Sequence, residues 1–184
     1  YDVHLDNLTD NEYCNWCVQL FKSFDYVLKD NGVVLWNVSY GSDSTVKKSG
    51  MDVVWLAIAD IIRNTPFTVA DRIIWKKKSA LPNNVSPNKL TRICEDVFVF
   101  CRKDEIKTFY ANKEIKSVGK NGQNFYSPIY NFIEAKNNDG SCKLNKATFS
   151  SELVMKLLEI YAPKGGVVYD PFLGTGTTAV GCLK

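Results

Sequence analysis

The segment DPFLGTGTT, residues 170–178, combines residue types that suit a ligand-binding loop. Gly174 and Gly176 lack a Cβ atom, so the backbone can turn sharply there and come close to a ligand. The predicted helix after the loop begins with free backbone N–H groups, which suit a carboxylate or a phosphate. Asp170 stands at the beginning of the loop and would repel a pyrophosphate, so the sequence favours a ligand that carries positive charge.

Two alternatives for this loop stay open. Gly174-x-Gly176-x-x-Ala179 also fits the dinucleotide pattern GxGxxA, which is weak evidence on its own. A nicotinamide-dependent oxidoreductase is disfavoured by Asp170, and the acidic ribose ligand expected about 20 residues after the loop would lie beyond Lys184. The other alternative is an ordinary glycine turn that binds nothing.

Alternating helices and strands are predicted to hold this loop at the end of a strand. Apolar residues recur at helical spacing in three segments, which are Tyr13–Lys29, Met51–Arg63 and Ser150–Tyr161. Short apolar runs predict strands over 33–38, 72–75, 95–101 and 167–170. Residues 40–50 and 76–88 are predicted loops, and 104–142 is polar without an assignable pattern. The alternation predicts an α/β fold.

Composition limits the class of protein. With 184 residues, 45% of them apolar, the chain predicts one domain over residues 1–184. The formal net charge of +3 permits a polyanionic partner without requiring one. No apolar run approaches the about 18 residues of a membrane span, and scattered cysteines indicate a reducing, soluble, intracellular setting. The sequence has no recognisable signal peptide and does not begin with methionine, so we expect a piece of a longer protein.

Cys14 and Cys17 form a CxxC pair, which is a spacing found in zinc sites. The pair lies within the predicted helix Tyr13–Lys29, and the sequence has no second CxxC or histidine pair to complete four ligands. We therefore expect two core residues and no metal site.

Residues 170–178 closely resemble the cofactor-binding motif of the DNA N4-cytosine and N6-adenine methyltransferase family. The string DPFxGxGTT is much more specific than GxGxxA. The resemblance implies that the loop binds S-adenosylmethionine, whose cationic sulfonium and ammonium and anionic carboxylate agree with an Asp beside free N–H groups. The residues to which it assigns cofactor contacts are Asp170, Pro171, Phe172, Gly174, Thr175, Gly176, Thr177 and Thr178.

A second cofactor segment of the family, usually HxATFP, is similar to residues 145–150. Thr148 and Phe149 match it, and the resemblance assigns them to cofactor binding. Asn145 stands in place of the histidine and Ser150 in place of the proline.

The family region that lines the target base resembles Ile74-Trp75-Lys76-Lys77 together with Pro82 and residues 95–100. The basic residues around the intervening loop are expected to contact DNA phosphates, and they are Lys76, Lys77, Lys78, Lys89 and Arg92. An ordinary solvated lysine loop is the alternative.

Tyr1 stands where the aromatic residue of the family's catalytic tetrad, (Asp/Asn/Ser)-Pro-Pro-aromatic, is expected. The resemblance implies that Tyr1 stacks on a base flipped out of the duplex, while residues before it accept hydrogen bonds from the amino group. Cysteine-based C5 methylation is disfavoured, because the sequence has no Pro-Cys pair.

The resemblance implies a doubly wound, mostly parallel Rossmann-like sheet in circularly permuted, beta-type motif order, incomplete at both ends and with one adjacent antiparallel strand. The implied activity is site-specific methylation of N4 of cytosine or N6 of adenine in duplex DNA. The implied setting is the cytoplasm of a prokaryote or a phage-encoded system, such as restriction–modification. Residues 104–142 are expected to include a variable target-recognition insertion.

Several points stay open on the sequence. A module that binds S-adenosylmethionine or DNA without turnover is the main alternative, and methylation of RNA is another. Neither the target base nor the recognition sequence follows from the residues. The aromatic cluster within 125–132 fits a homodimer interface or core packing, and its members are Phe125, Tyr126, Tyr130 and Phe132.

Overall fold

The computed structural model describes residues 8–38, 52–140 and 148–184. Tyr1, the whole of the predicted loop 40–50 and Asn145 lie outside these residues, so the predictions made for them stay predictions. The chain divides into two compact units. Unit 1 is Tyr1–Arg72 with Val97–Phe109, and unit 2 is Ile73–Asp96 with Tyr110–Lys184.

Unit 1 contains helices α1 (Asp10–Val27) and α2 (Asp52–Asn64), strand β1 (Val34–Val38) and a short 3-10 helix (Lys103–Glu105). A capping box begins α1, because the Thr9 hydroxyl accepts from the Glu12 N–H and the Glu12 carboxylate accepts from the Thr9 N–H. After the helix ends, Asn31 adopts a left-handed φ of 59°. The predicted helices Tyr13–Lys29 and Met51–Arg63 are confirmed with slightly different bounds.

The core of unit 1 is aromatic. Phe21 of α1 is fully buried, and its ring lies 4.7 Å from that of Phe100, 5.5 Å from that of Phe67 and 5.9 Å from that of Trp36. Burial of such rings is the largest favourable contribution to a core of this size. Cys14 and Cys17 belong to the same core, as expected.

Two long strands, β2 (Phe67–Lys77) and β3 (Cys94–Arg102), are antiparallel neighbours. The N–H of Lys103 donates to the carbonyl of Pro66, and the N–H of Lys77 donates to that of Ile93. The predicted strand 72–75 is therefore confirmed but begins earlier, at Phe67, and the expected antiparallel strand is present.

Unit 2 contributes strands β4 (Ile115–Val118), β5 (Asn124–Tyr126) and β6 (Phe132–Ala135) and helices α3 (Ser151–Tyr161) and α4 (Thr177–Cys182). Strand β6 pairs with β2 in parallel, from Ile74 opposite Phe132 to Lys77 opposite Ala135. The four-stranded sheet has the order β1-β3-β2-β6, and β4 and β5 form a separate hairpin. The fold is thus mixed α/β with a mixed sheet.

The core of unit 2 lies under strands β2 and β6 and helix α3. Trp75 is 2% exposed, and its indole N–H donates to the carbonyl of Ala135. The other buried apolar residues of this core are Ile73, Ile133, Ala135, Leu153, Val154 and Leu157. In the described ranges every helix is too short or too polar to cross a bilayer.

The structure corrects one predicted strand. Residues 167–170 form no strand, and Val167 and Tyr169 are 78% and 65% exposed. An apolar run becomes a strand only when a neighbour accepts its ladder hydrogen bonds, and no described strand pairs with this one. The glycine loop therefore follows a segment that belongs to no described strand.

The segment 104–142, which has no assignable pattern in the sequence, contains three short strands. Its residues 132–135 form β6, which belongs to the main sheet, and its residues 115–126 form the separate hairpin. A variable insertion stays a prediction for the part of this segment outside β6.

Candidate functional site

The glycine loop is closed by the carboxylate of Asp170. One carboxylate oxygen, Oδ1, accepts from the N–H of Phe172 at 2.9 Å, and the other, Oδ2, accepts from the hydroxyl of Thr178 in α4. The N–H of Gly176 also donates to the carbonyl of Leu173 at 2.8 Å. Asp170 therefore connects the beginning of the loop with the helix after it, a role that the sequence analysis did not assign.

Both loop glycines adopt a backbone conformation that disfavours other residues. The φ angles are 53° at Gly174 and 82° at Gly176, in the left-handed region. A Cβ atom at Gly176 would have no heavy atom within 4 Å, so the space above this residue is open. The glycines thus produce the turn and leave room for a ligand to approach the backbone.

The remaining residues of the predicted cofactor motif line this open surface. Pro171, Phe172, Gly174 and Thr175 are exposed, while Thr177 and Thr178 are half-buried. The hydroxyls of Thr175 and Thr177 lie 3.4 Å apart. The eight predicted residues therefore lie in the accessible loop and in the first turn of α4. Their donor groups and the Asp170 carboxylate fit a ligand that carries both signs of charge.

Helix α4 packs on α3 through Gly181, a residue that the sequence analysis missed. Gly181 is buried, and a Cβ atom there would lie 2.5 Å from Cγ1 and 2.8 Å from Cβ of Val154. The ammonium of Lys184 donates to the hydroxyl of Ser151 at 3.3 Å. A glycine inside a predicted helix was the available signal, because such a glycine often permits close packing.

Thr148 and Phe149 are half-buried just before α3. Ser150, which replaces the family's proline, is fully buried and caps α3: its hydroxyl accepts from the Leu153 N–H at 3.3 Å and donates to the Lys136 carbonyl at 2.8 Å. The hydrogen bonds of the described residues connect the start of α3 with 136–139 rather than with the glycine loop. A cofactor contact of Thr148 and Phe149 stays a prediction.

Three of the predicted DNA-binding lysines are ion-paired within unit 2. The Lys76 ammonium lies 2.7 Å from a Glu134 carboxylate oxygen, Lys77 pairs with Glu95, and Lys78 lies 3.3 Å from Glu152. Lys76 and Lys77 belong to β2 rather than to the loop, which covers 78–93 with Lys89 and Arg92 exposed. A DNA phosphate would have to compete with these carboxylates for the first three ammonium groups.

Glu152 is the centre of a small charged network at the start of α3. Its carboxylate accepts from the N–H of Lys136 at 3.0 Å and from the ammonium groups of Lys156 at 3.1 Å and Lys78. The Lys136 N–H bond, and then the Lys156 bond, lower the pKa of Glu152 from 4.5 to about 2.

This network predicts a pH dependence of stability. Because the folded-state pKa of Glu152 is depressed, its contribution is full above about pH 5 and is lost as the pH falls towards 2. We expect Glu152→Gln to lower the free energy of unfolding at neutral pH by about 1 kcal/mol, a figure reduced for solvent screening. The difference from the native protein should vanish near pH 2 in urea titrations.

The matched control is Asp30→Asn, at an exposed carboxylate outside this network. The difference in free energy of unfolding between this variant and the native protein should not change over the same pH range. Equal pH profiles for native protein and Glu152→Gln would contradict the role of the network.

The thiol groups of the cysteine pair are buried in the core of unit 1. Cys17 is fully buried and Cys14 is 4% exposed, and burial raises the pKa of Cys17 to about 11. Within the described part of the chain, no group of three or more His, Cys, Asp or Glu side chains is placed to hold a metal ion.

Comparison with known proteins gives the family. A family model for DNA methylases, N6_N4_Mtase, matches residues 2–184. The chain belongs to the N6/N4 DNA methylase family. The resemblance to this family is thereby confirmed, and the nicotinamide-dependent alternative loses its basis.

Two curated members of the N6/N4 DNA methylase family illustrate the similarity. The type II methyltransferase M.MjaI of Methanocaldococcus jannaschii is 25% identical over 171 residues, which are 86% of this chain and 55% of that protein. The type II methyltransferase M.BglII of Bacillus subtilis is 22% identical over 184 residues, 91% of this chain and 49% of that protein. The chain spans about half the length of these relatives.

Solved structures show the same fold. The PvuII cytosine-N4-specific DNA methyltransferase superposes with a TM-score of 0.73 at 18% identity, over 100% of this chain and 66% of that one. A structure of an M1.HpyAVI–SAM complex superposes with a TM-score of 0.58 at 19% identity, over 92% of this chain and 70% of that one. The mixed α/β architecture is therefore that of DNA methyltransferases.

Proposed function

We propose that this protein transfers a methyl group from S-adenosylmethionine to an exocyclic amino group of DNA, at N4 of cytosine or N6 of adenine. The observation that carries the proposal is the family match over residues 2–184. The accessible glycine loop, whose two ends are joined by the hydrogen bonds of the Asp170 carboxylate, gives structural support to the proposal.

The residues of the loop fit the proposed cofactor. Gly174 and Gly176 permit close approach of a ligand, and Thr175 and Thr177 offer hydroxyl groups at the open surface. Asp170 holds the loop in this shape and carries the negative charge that suits a cationic ligand. When bound, S-adenosylmethionine would supply an electrophilic methyl group on its sulfonium.

The protein's own contribution to the reaction is positioning and polarisation. An exocyclic amine is a weak nucleophile because its lone pair is delocalised into the ring, so the site must polarise its N–H bonds and align the nitrogen with the methyl group. We assign base stacking to Tyr1 and the target-base side to Ile74–Lys77, with the base flipped from the duplex. No metal is needed for this chemistry.

The wider assignments follow from the same proposal. We infer that the complete fold is doubly wound with a permuted motif order, in which base-side motifs precede the cofactor loop. The named relatives are type II methyltransferases, which supports a restriction–modification context. A module that binds the cofactor without turnover is the outcome that the following experiment must exclude.

The proposal predicts methyl transfer to duplex DNA. Incubating the full natural protein with S-adenosylmethionine labelled in its methyl group should place label in mixed-sequence duplex DNA and not in structured RNA. The control is the same reaction with S-adenosylhomocysteine added, which should suppress the label because it occupies the same loop. Cofactor binding without label in DNA would contradict the proposal, and label in RNA alone would replace DNA as the substrate.

A further inference from the structure

The loop 78–93, which follows the residues assigned to the target base and is called the base-side loop below, is fastened at its start to the segment after strand β6. The register of β2 and β6 ends with Lys77 opposite Ala135. Two residues further on, the Asn137 amide donates to the Ser79 carbonyl at 2.8 Å and accepts from the Ser79 N–H at 3.4 Å. The Asn137 side chain therefore takes the place of a backbone peptide and extends the ladder to the first residues of the loop.

The segment that contains Asn137 is held in turn by the start of helix α3. The N–H of Lys136 donates to the Glu152 carboxylate at 3.0 Å, and the carbonyl of Lys136 accepts from the Ser150 hydroxyl at 2.8 Å. The same Glu152 carboxylate lies 3.3 Å from the ammonium of Lys78, the first residue of the base-side loop. The direction in which this loop leaves the sheet therefore depends on the position of α3.

Helix α3 also supports the helix of the glycine loop. Gly181 of α4 is buried so close to Val154 of α3 that a Cβ atom there would lie 2.5 Å from Cγ1 of Val154. At the end of the chain, the Lys184 ammonium donates to the Ser151 hydroxyl at 3.3 Å. Because close-packed contacts transmit displacements, a shift of the glycine loop and α4 moves the start of α3 as well.

We propose that the start of α3 couples the cofactor loop to the base-side loop, and that Asn137 is the positioning residue through which a bound cofactor fixes the loop 78–93. The inference rests on the proposed function, because it concerns the two ligands of that reaction. The coupling is reciprocal, so DNA on the base-side loop strengthens cofactor binding by the same factor by which the cofactor strengthens DNA binding.

Asn137 carries more of this coupling than the ion pair of Lys78 and Glu152. The Lys78 side chain is 48% exposed, so water and salt screen its attraction to the carboxylate. The two hydrogen bonds of Asn137 join a half-buried side chain to one backbone residue, Ser79, and they hold a single geometry. Asn137 is therefore the residue to change.

The experiment compares the native protein with Asn137→Ala and with a matched control, Asn112→Ala, each as the full natural protein. The Asn112 amide donates to the Glu159 carbonyl at 3.2 Å, so the control loses a side-chain hydrogen bond at the other end of α3. Initial rates of methyl transfer to mixed-sequence duplex DNA give the KM for S-adenosylmethionine at low and at saturating DNA. Only complexes at recognition sites contribute to these rates.

The KM for S-adenosylmethionine should fall by about 5-fold or more between low and saturating DNA in the native protein and in Asn112→Ala, and by less than about 2-fold in Asn137→Ala. The affinity measured by calorimetry without DNA should be equal in all three proteins, because Asn137 lies outside the glycine loop. Equal affinity also shows that the variant is folded, so a merely structural role of Asn137 would not produce this pattern.

Amide hydrogen exchange gives a second readout that needs neither DNA nor turnover. Binding of S-adenosylhomocysteine should slow exchange in peptides from the base-side loop of the native protein and of Asn112→Ala, and this protection should be lost in Asn137→Ala. Equal KM ratios in all three proteins, or loop protection that survives in Asn137→Ala, would overturn the coupling. Transfer of methyl groups with equal ratios removes only the coupling, whereas a native protein that transfers none to DNA removes the proposed function.

Discussion

Replacing Asp170 by alanine should lower the affinity for S-adenosylmethionine by about 10- to 100-fold while leaving the free energy of unfolding within about 1 kcal/mol. The loss has two sources. The carboxylate accepts hydrogen bonds from Phe172 and Thr178, so its removal loosens the loop. It also removes the negative charge beside a cationic ligand. Stability changes little because the loop is largely exposed. Titration calorimetry with S-adenosylmethionine and urea unfolding measure the two quantities.

Two further variants separate the shape of the loop from its charge. Asp170→Asn keeps the size of the side chain and removes its charge, and Thr178→Val removes one hydrogen bond and keeps the carboxylate. If charge matters, Asp170→Asn weakens binding of S-adenosylmethionine more than that of S-adenosylhomocysteine, which lacks the sulfonium. If only loop shape matters, both ligands weaken equally. Unchanged affinity in Asp170→Ala would refute the cofactor assignment.

Gly181→Ala should destabilise the protein by about 1–3 kcal/mol and weaken cofactor binding as well. The new methyl group would lie 2.5 Å from Cγ1 of Val154, and a β-branched side chain has little freedom to move away. Relief of this overlap requires α4 to shift from α3, which displaces the glycine loop at the beginning of α4. Thermal or urea unfolding and calorimetric titration of the cofactor measure both effects.

Val154→Ala supplies the control for this contact. Alone it should destabilise the protein, because it removes buried apolar atoms. Combined with Gly181→Ala it opens space for the new methyl group, so the double variant should lose less stability than the two single losses added together. Strict additivity would show that the two residues do not interact.

The helices of this fold were predictable from the sequence because each buries one apolar face. The spacing of Cys14, Cys17, Val18 and Phe21 in α1 is set by that burial, and the same holds for Leu153, Val154 and Leu157 in α3. The prediction of a strand at 167–170 was wrong for a related reason. An apolar run reports the tendency of its own residues, whereas a strand also depends on a neighbour that the run does not specify.

The candidate site was predictable where its residues are adjacent in sequence, as in the loop 170–178. The ion pairs of Lys76 and Lys78 could not be predicted, because their partners Glu134 and Glu152 are 58 and 74 residues away in the sequence. The hairpin was equally hidden, since short polar strands lack the alternation that marks a half-buried strand. Gly181 could have been noticed as a glycine inside a helix, but its neighbour Val154 could not.

The measurement that tests the central claim most directly is mass spectrometry of nucleosides from DNA treated with the full natural protein and S-adenosylmethionine. N4-methylcytosine or N6-methyladenine is the predicted product, it should depend on the cofactor, and it should fall sharply with Asp170→Ala. The appearance of 5-methylcytosine instead, or of no methylated nucleoside from a protein that binds both cofactor and DNA, would contradict the assignment of this chain as an amino-methyltransferase of DNA.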